Sequence, residues 1–506
     1  MSEYDYAIVG AGSAGSVVAH RLIMTNPSLK VLLLEAGGED IQPAIFVPAA
    51  LPSLFGTEVD WAYMTEPEPA LGDRSIYHPR GKVLGGSSSI NGMIYIRGNR
   101  QDFDRWEAAG NAGWGYESVL SYFRKAERNG RGADHYHGAD GPLAVCDNPD
   151  LDPRARTFLD AASELGYAAN PDFNGAEQDG FGRFQVNIEA GRRVSSAEAY
   201  LRPVMNQQNL TIATNARATQ ILLTNNRVTG LKYLQDGAET EIGIRRELVL
   251  SAGTFESPKL LMLSGIGPAD HLRKFGIPVV LNHPGVGANL QDHPRMDVAY
   301  ANPAPLDVKP TSNILETAGF INTSSDPDGA DVQFHFATTL VNPALLDRGP
   351  GWEIIVCATR PRSRGVVRLG SADPRDNARV CFNYLMEAED RATVLRGVSV
   401  ARELAMTASF ADIRGEEISP GIDIRDAVGL EDALRRTMDS EYHPVGTCKM
   451  GSDNLAVVDA QLRVHGIDGL RVVDASVFPD ITSGNTNAAA VMIGEKASDL
   501  LLDAGC

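Results

Sequence analysis

The chain of 506 residues carries 65 acidic against 46 basic side chains, a formal charge of −19 at neutral pH, without the clustered Lys and Arg that phosphate contacts require, which argues against nucleic-acid binding. Its hydrophobic share of 43% and charged share of 22% are those of an ordinary soluble globular protein, and its length suits two or three domains. No apolar run approaches the ~20 residues needed to span a bilayer, and the acidic start MSEYDY leads directly into a strand, with no room for a signal peptide; the expected location is cytoplasmic.

The first elements lie between Tyr6 and Gly38, YAIVGAGSAGSVVAHRLIMTNPSLKVLLLEAGG, which reads as strand, glycine turn, helix and strand. Ala7-Ile8-Val9 is too short for a helix and is bounded by glycine, the pattern of a buried parallel strand. Gly10, Gly12 and Gly15 follow as G-x-G-x-x-G: the first permits the tight turn, the second leaves room for a pyrophosphate, and the third lets helix and strand pack closely. The helix N-terminus offers free N–H groups to that pyrophosphate. Glu35, at the end of the second strand, is placed to accept hydrogen bonds from an adenosine ribose. The pattern predicts a dinucleotide site and leaves NAD and FAD open.

Residues 40 to 75 are rich in proline and large apolar side chains (Phe46, Leu54, Phe55, Trp61, Tyr63) without clean periodicity, the composition of a lid, a cofactor cover or a surface excursion. In RGKVLGGSSSINGMIYIRG, Arg80 to Gly98, Gly85-Gly86 and three serines form a turn that can approach a flat ligand while offering N–H and hydroxyl donors. An amphipathic helix follows, with Val119, Leu120, Tyr122 and Phe123 on its apolar side, and Arg128 to Asp150 reads as loop. Asp134, His135 and His137 in that loop lack a coherent four-ligand set, so no metal is expected.

LTIATNARATQILLTNNRVTGLKYL predicts three strands with an Asn225-Asn226 turn, and ELVLSAG a further buried strand that returns the chain to the nucleotide domain. SAGTFESPKLLMLSGIGP predicts a helix from Ser257-Pro258, because proline is tolerated in a first helical turn. GVGANLQDHP is a second glycine turn, closing on Asp292 and His293, which are read as tying the loop or touching cofactor. From Val298 to Met438, separate strands followed by helices suggest an α+β domain on an antiparallel sheet. The last section has a strand leading to Asp474, a turn and an apolar helix. Five scattered cysteines, Cys146, Cys357, Cys381, Cys448 and Cys506, read as free thiols in a reducing compartment.

Four blocks together give a resemblance over essentially the whole chain: the N-terminal fingerprint with Glu35, GKVLGGSSSIN, GTFESPKLLMLSGIG, and the ending HPVGTC…DASVFP…GNTN. The chain resembles the glucose-methanol-choline (GMC) oxidoreductases, FAD-dependent alcohol oxidases and dehydrogenases, a choline dehydrogenase or alcohol oxidase-like member. The resemblance implies a Rossmann-like α/β FAD-binding domain, discontinuous over 1–100, 195–295 and 440–506. It implies an α+β substrate-binding domain and cofactor cover over 101–194 and 296–439. It places FAD against Gly10, Gly12, Ser13, Gly15, Glu35 and Ala36, against Gly85, Gly86, Ser87, Asn91 and Gly92, and against Asp474, Ala475 and Asn487. His443 would be the catalytic histidine and Asn487 its partner. Ile90 stands where members with covalent flavin carry histidine, which implies non-covalent FAD; Ala488 stands where proline is common.

The activity implied is oxidation of a primary alcohol on a small or medium-sized molecule, with dioxygen or another acceptor reoxidising the flavin. A neutral imidazole at His443 suits proton removal, and the amide of Asn487 could orient the substrate oxygen. His335 is read as a substrate contact or a core histidine, and Glu316 as a selector of cationic substrates or a buried carboxylate with backbone partners. The rival readings are a flavin-containing lyase of the cyanohydrin type and a non-catalytic flavoprotein.

Overall fold

The computed structural model describes residues 2–148, 151–302, 308–324 and 328–503. Strand β1 (Ser2–Val9), helix α1 (Ser13–Thr25) and strand β2 (Val31–Leu34) form where the N-terminal pattern predicts them. β2 is buried at every position, which is why it shows no polar alternation. The chain then supplies α2 (Tyr116–Ala126) and β3 (Gly180–Arg183). It returns with β4 (Leu210–Ala213), β5 (Ala216–Thr224), β6 (Arg227–Gln235), β7 (Ala238–Leu250) and α3 (Gly253–Leu263). A second excursion gives β8 (Pro294–Ala301), β9 (Leu315–Ile321), β10 (Val332–Ala337), β11 (Gly351–Ala358), α4 (Ala388–Ala405) and β12 (Glu417–Ser419). Last come β13 (Leu470–Val472) and α5 (Asn487–Asp503).

The first sheet has the order β4-β2-β1-β7-β6-β5, with β13 beside the end of β7. Its centre is parallel, and β5 and β6 extend it as an antiparallel hairpin. Asn225 and Asn226 turn that hairpin with φ of +51° and +59°, the left-handed pair that an Asn-Asn turn supplies. Helix α5 packs against α1. Gly494 permits the approach, since a Cβ there would lie 2.9 Å from the Ala14 carbonyl oxygen.

The second sheet runs β12-β8-β11-β10-β9-β3 with every neighbour antiparallel. Its register sorts the two faces. Met296, Val356 and Phe334 lie side by side on the face that joins Val394, Val398 and Leu404 of α4 in one core. Arg295, Cys357 and Gln333, then Asp297, Ile355 and His335, alternate onto the opposite face. A sheet with helices packed on one side is the α+β pattern anticipated.

Two local expectations are corrected. Helix α3 starts at Gly253, not at Ser257, and holds Pro258 in its interior. The N–H that proline lacks would have served the Thr254 carbonyl; the Thr447 hydroxyl donates to that oxygen instead, at 2.6 Å. The stretch from Arg128 is not all loop, because Glu127–Asn129 and Leu143–Asp147 pair as strands. Pro149 and Asp150, at the end of that stretch, lie outside the described residues, as does Cys506; Cys146, Cys357, Cys381 and Cys448 are free thiols. Among the described residues no helix is long and apolar enough to cross a membrane.

Candidate active site

The site begins where β1 passes into α1. Gly10 turns with φ of +100°, and a Cβ there would sit 2.3 Å from the Ser251 carbonyl oxygen. Gly15 is equally confined, with the Gly10 carbonyl oxygen 2.0 Å from where its Cβ would be. Gly12 differs: the nearest atom to a Cβ there is Gly86 Cα at 3.9 Å, so the position opens onto free space. It caps α1 without any side-chain hydrogen bond to the first-turn N–H groups. Gly12, Ser13 and Ala14 line a cavity of about 670 Å³.

Glu35 and Ala36 line the same cavity. The Glu35 carboxylate takes the N–H groups of Ala11 and Gly37 at 3.0 and 2.9 Å, and burial pushes it up to about 7. Gly86, Ser87, Ile90, Asn91 and Gly92 continue the wall. Gly85 is not part of it; with φ of +86° it turns the chain behind the wall, packed against Ser89. Arg193, buried and without an ion-pair partner among the described residues, clamps this turn by donating to the Asn91 carbonyl and side-chain oxygens at 2.6 and 2.8 Å and to the Ile45 carbonyl at 2.7 Å. Phe55, Trp61 and Tyr63 from the irregular segment also face the cavity, as a cover would. Asp474 and Ala475 line it too, with the Asp474 carboxylate accepting from Gly253 N–H at 2.9 Å, Ser257 Oγ at 2.6 Å and Ser476 N–H at 2.8 Å.

That one cavity also reaches His443 and Asn485. Tyr442, at φ of +63°, holds a conformation that costs a non-glycine residue free energy and that clusters at functional sites. The His443 N–H donates to Asp292 at 2.7 Å. Tyr384 and Ser440 hydroxyls donate to the other oxygen of Asp292. His443 Nδ1 lies 3.0 Å from His293 Nδ1, and its Nε2 lies 3.1 Å from Asn485 Nδ2. Burial first, then the surrounding His293, His335, Arg80 and Arg295, hold the imidazole well below its ordinary value. It is therefore neutral at neutral pH, with a nitrogen able to accept a proton.

Asn487 is not the partner of His443. It opens α5, and its Oδ1 accepts from the Ser13 hydroxyl at 2.7 Å, which sets it against the glycine turn. Asn485 of the same GNTN is still in the loop after Gly484, where φ of +134° re-aims the chain, and it is the residue brought to His443. The two asparagines look alike in sequence; the available clue was that the apolar run behind Asn487 makes it the first helical residue. Asp292 and His293 do tie a loop, and the loop they tie is the one that carries His443.

His335 is buried on the polar face of the second sheet and does not line the cavity; its ring nitrogens have no hydrogen-bond partner among the described residues, and Nε2 is 3.9 Å from Glu441. Glu316 is a buried carboxylate that accepts from the Asp152 N–H and the Ser312 hydroxyl, each at 2.6 Å. His137 is buried between Glu127 and Asp172, at 2.9 and 2.7 Å. Among the described residues no group of His, Cys, Asp and Glu is arranged to hold a metal ion.

Family models described as GMC oxidoreductase match residues 4–295 and 361–494. The chain belongs to the GMC oxidoreductases. It is 40% identical over 525 residues to the oxygen-dependent choline dehydrogenase of Rhizobium etli, covering 98% of this chain and 95% of that one. It is 41% identical over 537 residues to the mitochondrial choline dehydrogenase of Mus musculus, covering 99% and 89%. Among solved structures, pyridoxine 4-oxidase from Mesorbium loti superposes with a TM-score of 0.93 at 35% identity, with 98% of each chain covered.

This GMC oxidoreductase is an FAD enzyme that oxidises alcohols, and its cavity fits FAD on its own terms. An uncapped helix N-terminus and the open position at Gly12 suit a pyrophosphate. Glu35 suits the ribose, and a Gly/Ser wall leads from there toward the His443 and Asn485 pair. The fold is accordingly an FAD-binding part on the parallel sheet and a substrate-binding part on the antiparallel one.

Proposed function

We propose that this GMC oxidoreductase oxidises a primary alcohol of a small or medium-sized organic molecule to the aldehyde, with non-covalently held FAD and with His443 as general base. The observation that carries it is the juxtaposition of His443 Nε2 and Asn485 Nδ2, 3.1 Å apart, on the cavity that also contains the dinucleotide turn. When bound, FAD supplies the acceptor for the hydride released by the alcohol carbon. An alcohol oxygen that replaces the direct Nδ2 to Nε2 contact gives its proton to His443 Nε2 and accepts a hydrogen bond from Asn485 Nδ2, which steadies the developing negative charge. Asn485 is aimed for this, because its Oδ1 is engaged by Gln333 Nε2 at 3.2 Å. Removing such a base costs ~10²–10⁴-fold in rate.

Ile90, directly before Asn91, offers no nucleophilic atom for a bond to the flavin. The cavity mixes apolar side chains (Phe55, Leu315, Val341, Leu346) with charged ones, Arg80, Arg295 and Glu441 among them. Choline and pyridoxine are the first alcohols to test, since relatives carry those names. The division into 1–100, 195–295 and 440–506 for cofactor, against 101–194 and 296–439 for substrate and cover, and a cytoplasmic location belong to the same proposal.

A panel of primary alcohols mixed anaerobically with the yellow holoprotein tests it, followed by admission of air and assay of hydrogen peroxide. Bleaching by at least one alcohol, with aldehyde formed in equal amount, is expected. A flavin that stays oxidised while an aldehyde is released from a cyanohydrin would indicate a lyase and refute the proposal. Peroxide on admitting air identifies dioxygen as acceptor.

A further inference from the structure

His293 does not line the cavity, yet its ring is wedged between His443, which does, and a backbone carbonyl. His293 Nε2 lies 2.9 Å from the Thr359 carbonyl oxygen. A carbonyl only accepts, so this nitrogen carries a proton. On the other side the two Nδ1 atoms of His293 and His443 face each other at 3.0 Å, and such a contact is attractive only with a single proton between them. A second proton on His293 would make it a cation where burial already drives it down to about 3, with His335 adding to the effect. The shared proton is therefore on His443 Nδ1. The far end agrees: Gln333 donates to Asn485 Oδ1, which turns Asn485 Nδ2 toward His443 Nε2 as a donor, and a donor requires a bare nitrogen there.

We propose that His293 is a positioning residue that, anchored by the Thr359 carbonyl, holds His443 in its Nδ1–H tautomer and so keeps Nε2, the nitrogen facing the substrate oxygen, free to accept a proton. The inference rests on the reading of His443 as the base. The chain Gln333, Asn485, His443, His293, Thr359 has one donor direction throughout and stops at a carbonyl, so it locks the base and does not conduct the proton away. The groups facing His443 from its surroundings are His293, His335, Arg80, Arg295 and Asp292.

The test combines ¹⁵N-histidine NMR of the holoprotein with kinetics of His293→Leu, His293→Asn and His293→Asp at equal FAD content. NMR of the wild type should show the His443 ring protonated at Nδ1; protonation at Nε2 overturns the proposal, whatever the variants do. His293→Leu should lower kcat by about 10²-fold or more, toward the ~10⁴-fold of a histidine base held in the wrong tautomer, with KM little changed. His293→Asn, whose Oδ1 can still accept from Nδ1–H, should recover part of that loss. His293→Asp places a negative charge at the same nitrogen and should move the acid limb of kcat/KM to higher pH. Unchanged kcat in His293→Leu would overturn the lock alone. Wild-type turnover in His443→Ala would instead sink the base assignment beneath it, while the NMR tautomer still reports on the ring pair separately.

Discussion

Burial among Arg80, Arg295 and two further imidazoles makes protonation of His443 unfavourable. The active form is the neutral ring, present above the lowered value, so kcat/KM should hold through neutrality and fall only when the pH drops below 6.5, the ring's ordinary value. A limb centred above that value would contradict this electrostatic picture. The two asparagines separate binding from chemistry. Asn485→Ala should reduce kcat about 10²-fold or more by removing a preorganised donor while the protein stays yellow. Asn487→Ala, at the glycine turn, should instead loosen FAD, read as a raised Kd for the flavin, with kcat at saturating FAD less affected. The motif that carries His443 was legible in the sequence, and the structure places it on the cavity. The partners of His443 were not legible, because His293 lies 150 positions away and meets it only where two loops pair.

Strand, turn and helix at the N-terminus are local events, and there Gly10, Gly12, Gly15 and Glu35 could be read from spacing alone. Helix α3 shows the limit of local rules. Proline is ordinarily confined to a first helical turn, and Pro258 escapes that confinement because the hydroxyl of Thr447 occupies the carbonyl that proline abandons, that of Thr254, 193 positions from Thr447. Thr447→Val should therefore destabilise the fold by ~1–3 kcal/mol, the cost of an unsatisfied buried carbonyl. In a Pro258→Ala background the restored N–H serves Thr254, and the same substitution should cost clearly less. Urea unfolding of the four proteins of this cycle measures the coupling; equal costs in both backgrounds would show that the hydroxyl and the proline are independent.

At the scale of the whole molecule, one cavity joins the parallel sheet's glycine turn to the loops carrying His443 and Asn485. The glycines that make it divide by role. Gly12→Val should fill the pyrophosphate position and give a folded but colourless protein, because free space surrounds that Cβ. Gly10→Ala, with a carbonyl oxygen 2.3 Å from the new Cβ and φ of +100°, should lower stability itself, visible as a reduced Tm in the absence of added FAD. The layered architecture was readable from hydrophobic runs and strand-helix order; the sorting of Arg295, Gln333 and His335 onto the polar face of the second sheet required the register. The far end of this cavity, at His443, is where the oxidation should take place. Stopped-flow mixing of an alcohol with anaerobic, FAD-loaded wild type and His443→Ala follows flavin bleaching directly. The variant should keep its yellow colour and bleach ~10²–10⁴-fold more slowly; bleaching at the wild-type rate would show that His443 is not the base.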